Sequence, residues 1–118
     1  MDLSPQILEE VFHATRQVDR GIITLGKARD DLVRAYGFNA NSANMTIRSL
    51  RHMLNGERYR RALTVDATDY FLTRIREEDG SSGLQKALTA LSSHIDYRHS
   101  TGVNVPGLQT VLAKHSKP

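Results

Sequence analysis

The sequence predicts an all-α fold, a bundle of five to six short helices. Apolar residues recur at three- and four-residue intervals along almost the whole chain. The strict alternation of a half-buried strand is missing, and Gly, Asn and Ser clusters cut the helical pattern at short intervals. A length of 118 residues suits one domain, 1–118, with enough chain to bury a modest core without a metal or disulfide staple.

Ser4-Pro5 opens the first helix, with Ser as N-cap and Pro in the first turn. Ile7, Val11, Ala14 and Val18 form its stripe, broadened by Leu8 and Phe12. Gly21 interrupts, and Thr24 caps a second helix with Leu25, Ala28, Leu32 and Ala35 on its inner side. Gly37 ends that helix in the left-handed position just past the last turn. After a polar turn, Phe38–Asn41, a third helix runs over about Ser42–Asn55 on the stripe Ala43, Ile47, Leu50 and Leu54. Asn55-Gly56 stops it, and the loop Glu57–Leu63 is dominated by arginine.

Thr64 caps the fourth helix, with Ala67, Phe71, Leu72 and Ile75 inward and Asp66 and Asp69 near its positive end. The run Asp79–Gly83 reads as a break. A fifth helix follows on Leu84, Leu88, Leu91 and Ile95, then a loop over His99–Asn104. Asn104 is the expected cap of a short last helix through Leu108, Val111 and Leu112, and Lys114–Pro118 reads as a frayed tail.

The chain has no cysteine, which excludes disulfides, thiolate catalysis and cysteine-ligated metal centres. The first residues carry acids where a secretion signal needs bases, and no stretch approaches the ~20 apolar residues of a spanning helix. The expectation is a soluble cytoplasmic protein that meets no membrane.

Charge is unevenly placed. Residues 36–65 carry Arg48, Arg51, Arg58, Arg60 and Arg61 against Glu57 alone, while the chain as a whole has a formal charge of +3. The two flanking segments are close to neutral, so the positive excess is a local patch of the kind phosphate binding requires. At 100° per residue, Asn44, Arg48, Arg51 and Asn55 of the third helix gather beside the apolar stripe, and Asn41 and His52 lie opposite it. Arg pairs with guanine and Asn with adenine in bidentate fashion, and both also contact phosphate.

The span Thr24–Gly56 reads helix, Gly-containing turn, helix, which resembles a helix-turn-helix with the third helix as reading element. Arg58, Arg60 and Arg61 then serve as a backbone clamp. The plainer alternative is a solvated helical hairpin whose arginines pair with Asp66, Asp69 and the run Glu77–Asp79, or dock an acidic protein.

The five histidines suggest no metal site. His94 and His99 are five apart, which does not place them on one helix face, and no third ligand is near in sequence. A structural role at the end of the fifth helix is expected for His94, partial burial for His13, and a place in the frayed tail for His115. Tyr59 either stacks on a base or packs beneath its loop. Neither a nucleophile elbow nor a phosphate loop is present in the sequence, so the reading is a non-enzyme without cofactor or metal.

One further pattern stands out. Tyr36, Phe38 and Asn39, then Ser42 and Ala43, Met53, Leu54 and Gly56, Tyr59 and Arg61, Ala67, Tyr70 and Phe71, and finally His94 and Tyr97 together resemble a helical domain that accompanies HNH-endonuclease modules in bacterial restriction-type proteins. The similarity covers Tyr36–Arg98, about half the chain, but the nuclease core itself has no counterpart here. The resemblance implies an accessory module for nucleic-acid recognition or partner docking in a defence or mobile-element setting, with a nuclease as one possible partner and a homodimer as another.

Overall fold

In the computed structural model, which describes residues 4–117, the chain is all-helical: α1 (Pro5–Asp19), α2 (Leu25–Tyr36), α3 (Ala40–Leu54), α4 (Val65–Ser100) and α5 (Pro106–Ser116). No strand occurs among the described residues. The first three residues of the chain and Pro118 of the expected tail lie outside them. The chain divides into two compact units, Met1–Arg51 and His52–Pro118, with the boundary inside α3.

In the first unit α1 packs on α2. Both helices start where a hydroxyl satisfies an orphan amide: Ser4 Oγ accepts from Ile7 N at 3.3 Å, and Thr24 Oγ1 from Lys27 N at 3.1 Å. Gly37 closes α2 in the left-handed region, its N–H donating to the Val33 carbonyl. The buried side of α1 is Leu8, Val11, Phe12, Thr15 and Val18, with Ile7 and Ala14 at its margin. Thr15 enters the core because its hydroxyl donates to the Val11 carbonyl at 2.7 Å and so carries no unmet bond inside.

α3 starts two residues earlier than the sequence suggests. The Asn39 carboxamide oxygen accepts from Asn41 N and Ser42 N at 2.9 and 3.2 Å, so Asn39 is the capping group and Asn41 already lies in the first turn. Three residues, 37–39, therefore separate α2 from α3. The buried line is Ala43, Ile47, Leu50 and Met53, joined by Ser49, while Leu54 in the final turn is half-exposed. The buried arc is thus rotated toward Met53, which leaves Arg48 diametrically opposite its centre.

In the second unit Thr64 Oγ1 caps α4 by accepting from Ala67 N at 3.1 Å. The expected break over Asp79–Gly83 contracts to one residue. Gly80, at φ 70° and ψ −162°, turns the backbone while helix continues on both sides. The turn is needed: Ile75 and Leu84 are nine residues apart, so an unbroken helix would aim the two apolar stripes about 180° away from each other. A side chain at Gly83 would run into the Asp79 side chain, which makes the corner tight on both sides of Gly80.

α5 packs back on α4, with Gly107 close against Val65. Its start is not capped by Asn104. Val105 holds the cap position without a side-chain bond, and Pro106, which has no N–H to satisfy, opens the helix. The expected fraying of the tail is also corrected, since helix continues through Ser116. His115 Nε2 donates to Asp69 Oδ1 at 2.6 Å, and Lys114 Nζ donates to the same carboxylate at 3.0 Å. These bonds, the histidine's first, hold the Asp69 carboxyl below its usual pKa.

Gly80 occupies a backbone region that side chains avoid, so Gly80→Ala is expected to lower the unfolding free energy by about 1–3 kcal/mol in urea denaturation. An unchanged midpoint would mean that the corner does not need glycine.

Candidate nucleic-acid interface

The outward residues of α3 sort by depth. Asn41, Arg48, His52 and Asn55 are exposed, whereas Asn44 and Arg51 are half-buried. Arg51 Nε lies 3.9 Å from Asp19 Oδ1, a loose ion pair back to α1. The Asn44 carboxamide oxygen is shielded from solvent without a hydrogen-bond partner. His52 Nδ1 sits 3.5 Å from a Glu57 carboxylate oxygen just beyond the helix end. Arg48 forms no ion pair among the described residues and projects from the middle of the helix.

The arginine loop belongs to the second unit, and its course follows from three anchors on α4. At the helix end Gly56 adopts φ 73°, and the Glu57 N–H donates back to the His52 carbonyl at 2.8 Å. A Cβ at Gly56 would already stand 3.5 Å from Lys86, so the chain leaves α3 in contact with α4. Tyr59 is buried and its ring stacks on His94, with centroids 4.4 Å apart and planes 11° from parallel. The Arg60 guanidinium lies 5.7 Å from the centre of the Tyr97 ring.

The loop therefore runs along α4 in the helix's own direction. An extended chain alternates its side chains. With Tyr59 turned in, Arg58 and Arg60 are turned out, and Leu63 is the next buried anchor after exposed Arg61 and Ala62. The sequence left open whether Tyr59 stacks on a base or packs under its loop, and the structure answers with packing.

His94 is the centre of this arrangement. Its Nδ1 lies 2.6 Å from the Tyr59 carbonyl oxygen. A carbonyl can only accept, so Nδ1 carries the proton and Nε2 of the neutral ring is a bare acceptor. That Nε2 is buried without a partner, as is the Tyr59 hydroxyl. Burial, assisted by the positive charge of Arg98, holds the imidazole below its ordinary pKa despite the opposing bond to Tyr59. Burial also drives the Tyr59 phenol well above its usual range. The pair is structural chemistry: neither group reaches solvent, and neither ionises near neutral pH.

The acids that sequence reasoning offered as partners for the arginines are largely engaged elsewhere. Asp69 takes Lys114 and His115, and Glu77 and Glu78 take Arg74. Arg58, like Arg48, forms no ion pair among the described residues. Asn41, Arg48, His52 and Asn55 are exposed on α3, and Arg58, Arg60 and Arg61 are exposed on the loop.

Elsewhere, a cleft of about 210 Å³ between α1 and α2 has Glu10, His13 and Asp31 on its rim. Asp31 is already paired with Lys27 and Arg34, and His13, expected to be partly buried, is exposed. No cluster of three or more His, Asp or Glu capable of holding a metal occurs among the described residues. Among the described residues no helix is long and apolar enough to cross a membrane.

Sequence reasoning overlooked the partners of His94 and His115. Tyr59 lies 35 residues from His94, and Asp69 lies 46 from His115, distances over which no periodicity links two side chains. No family model, curated protein or solved structure matches the chain.

Two outcomes follow from the buried pair. Tyr59→Phe removes a hydroxyl that has no partner, so stability should stay level or rise, whereas Tyr59→Ala should cost about 3–5 kcal/mol. Because the folded pKa of His94 is depressed, the folded state binds fewer protons than the unfolded chain below about pH 6.5. Stability from this group is complete above that pH and declines as pH falls toward the folded pKa, by at most about 1.4 kcal/mol per unit. Denaturation across pH checks the slope, which His94→Asn should remove.

Proposed function

We propose that the chain is a non-catalytic nucleic-acid-binding module, with duplex DNA as its ligand. The outward face of α3 acts as the reading element and the Arg58–Arg61 loop as a phosphate clamp. The observation that carries this reading is the concentration of five arginines against one carboxylate in residues 36–65, together with the outward, unpaired placement of Arg48 and Arg58. Phosphate contacts fix register, and the amides of Asn41, Asn44 and Asn55 and the His52 ring supply groups for base edges. A helix-turn-helix arrangement of α2 and α3 is part of the proposal and draws support from their three-residue connection.

The resemblance to accessory domains of restriction-type proteins agrees with this role and adds a bacterial, cytoplasmic defence setting to it. A docking role toward an acidic protein, such as a nuclease subunit or a second copy of the chain, is the competing reading. It is favoured by Arg60 lying over the Tyr97 ring, since arginine and aromatic residues are both enriched at protein interfaces.

If the five arginines neutralise four to five phosphates, log affinity for a mixed-sequence duplex should fall with log salt at a slope of roughly −4. Replacing Arg48 and Arg51 by Ala should weaken binding and flatten that slope by about 1–2, with the helical circular dichroism unchanged. Unaltered affinity in the double variant would remove the α3 face from the interface. Absence of binding by the wild-type chain at low salt would reject the nucleic-acid reading in favour of the acidic protein.

A further inference from the structure

We propose that His94 is the positioning residue of the arginine loop, and that the loop grips phosphate only while this imidazole is neutral, so that nucleic acid is released on acidification. The inference rests on the reading of Arg58 and Arg60 as phosphate contacts and adds a means of regulating them.

The geometry that carries it lies within one unit. Between the turn at Gly56 and the cap at Thr64 the chain is neither helix nor strand. Tyr59 is the mid-loop residue held from outside the loop, by a ring stack and by the Nδ1–H bond to its own carbonyl. The residues that this pin orients are its exposed neighbours Arg58 and Arg60. Without the pin nothing fixes which way the middle of the loop faces, and Arg58 has no other restraint among the contacts that hold the loop to α4.

A second proton on His94 must go to Nε2, which is enclosed and has no acceptor. The charged or titratable groups facing the ring are Tyr59 from the loop and Arg98 from the next turn of α4. The phenol stays protonated and offers no negative charge, and Arg98 repels the new one. The imidazolium is therefore stable only after it reaches water. Around it, α4 is fixed by fully buried Leu91 and nearly buried Ile95, whereas the loop has exposed residues on both sides of Tyr59. The loop is the part that yields.

This mechanism has a direction opposite to simple charge gain. Protons taken up at a protein surface add positive charge and strengthen attraction to phosphate. Weaker binding at lower pH is thus a signature that surface charge gain does not produce.

The test is an anisotropy titration of a mixed-sequence duplex at about pH 7.5 and about pH 5.5 at constant ionic strength, for the wild type and for His94→Asn. Asn places an amide N–H where Nδ1–H stands and does not titrate. Circular dichroism at both pH values monitors the fold, and amide exchange over residues 57–62 of the ligand-free protein, corrected for intrinsic rates, monitors the loop. The wild type should lose affinity severalfold at the lower pH, with a ceiling of about tenfold for each unit by which the imidazole's pKa differs between released and held states. Its loop exchange should quicken while the helical signal persists. His94→Asn should bind within a few-fold of the wild type at the higher pH and keep that affinity at the lower.

Wild-type affinity that holds or rises on acidification would overturn the proposal, as would an equal fall in His94→Asn or unfolding of the whole chain at the lower pH. If the wild type binds no duplex at the higher pH, the nucleic-acid reading fails on its own. Loop exchange then still decides the role of His94, because exchange that does not respond to pH contradicts it. The same exchange measurement decides the matter if His94→Asn does not fold.

Discussion

A hydrogen bond from His94 Nδ1 to the Tyr59 carbonyl fixes the course of the most basic segment of the chain. Everything the loop presents follows from it and from the ring stack that accompanies it. With Tyr59 inward, its neighbours Arg58 and Arg60 are exposed, and the Arg60 guanidinium lies over the Tyr97 ring. The arrangement leaves two polar atoms, His94 Nε2 and the Tyr59 hydroxyl, buried without partners. Each such atom costs on the order of 1–3 kcal/mol. The burial of two stacked aromatic rings offsets that loss, and a phenylalanine would supply the same ring without the penalty. Stability alone therefore does not account for a tyrosine at this position.

The frame that holds this pin is α4. Its two arms carry apolar stripes that one straight helix would send in opposite directions, and Gly80 reconciles them through a single residue of backbone that other amino acids avoid. One arm receives α5 through the Asp69 carboxylate and the close approach of Gly107 to Val65. The other arm supplies Lys86, His94 and Tyr97, the successive supports of the arginine loop. The division of labour is clear: one arm anchors the C-terminal helix, and the other shapes the surface.

Local chemistry was legible in the sequence, and distant pairing was not. The caps at Ser4, Thr24 and Thr64 and the stop at Gly37 depend on atoms within four residues of each other, and each is found where the pattern puts it. The same holds for helix content and for the outward placement of Arg48. Asn104 misled because a good capping residue stands there, yet Pro106 sets the start of α5. His115 misled because a terminal segment with few apolar residues reads as frayed, while its restraint comes from Asp69 far back along the chain. Leu54 belongs to the α3 stripe by angle, but Met53 takes the buried place in the last turn. The candidate site was legible as composition, five arginines in one segment. Its geometry was not, because an aromatic stack across 35 residues leaves no local trace.

The central claim is that the α3 face and the loop after it form a phosphate-contacting surface, and chemical-shift mapping of the labelled protein during titration with a short duplex addresses it directly. The account predicts that the largest shifts fall on the amides of Asn41, Asn44, Arg48 and Asn55 and on the guanidinium resonances of Arg58, Arg60 and Arg61, and that added salt reverses them. Shifts confined to other regions, such as α5 or the cleft between α1 and α2, or no shifts at low salt, would contradict it.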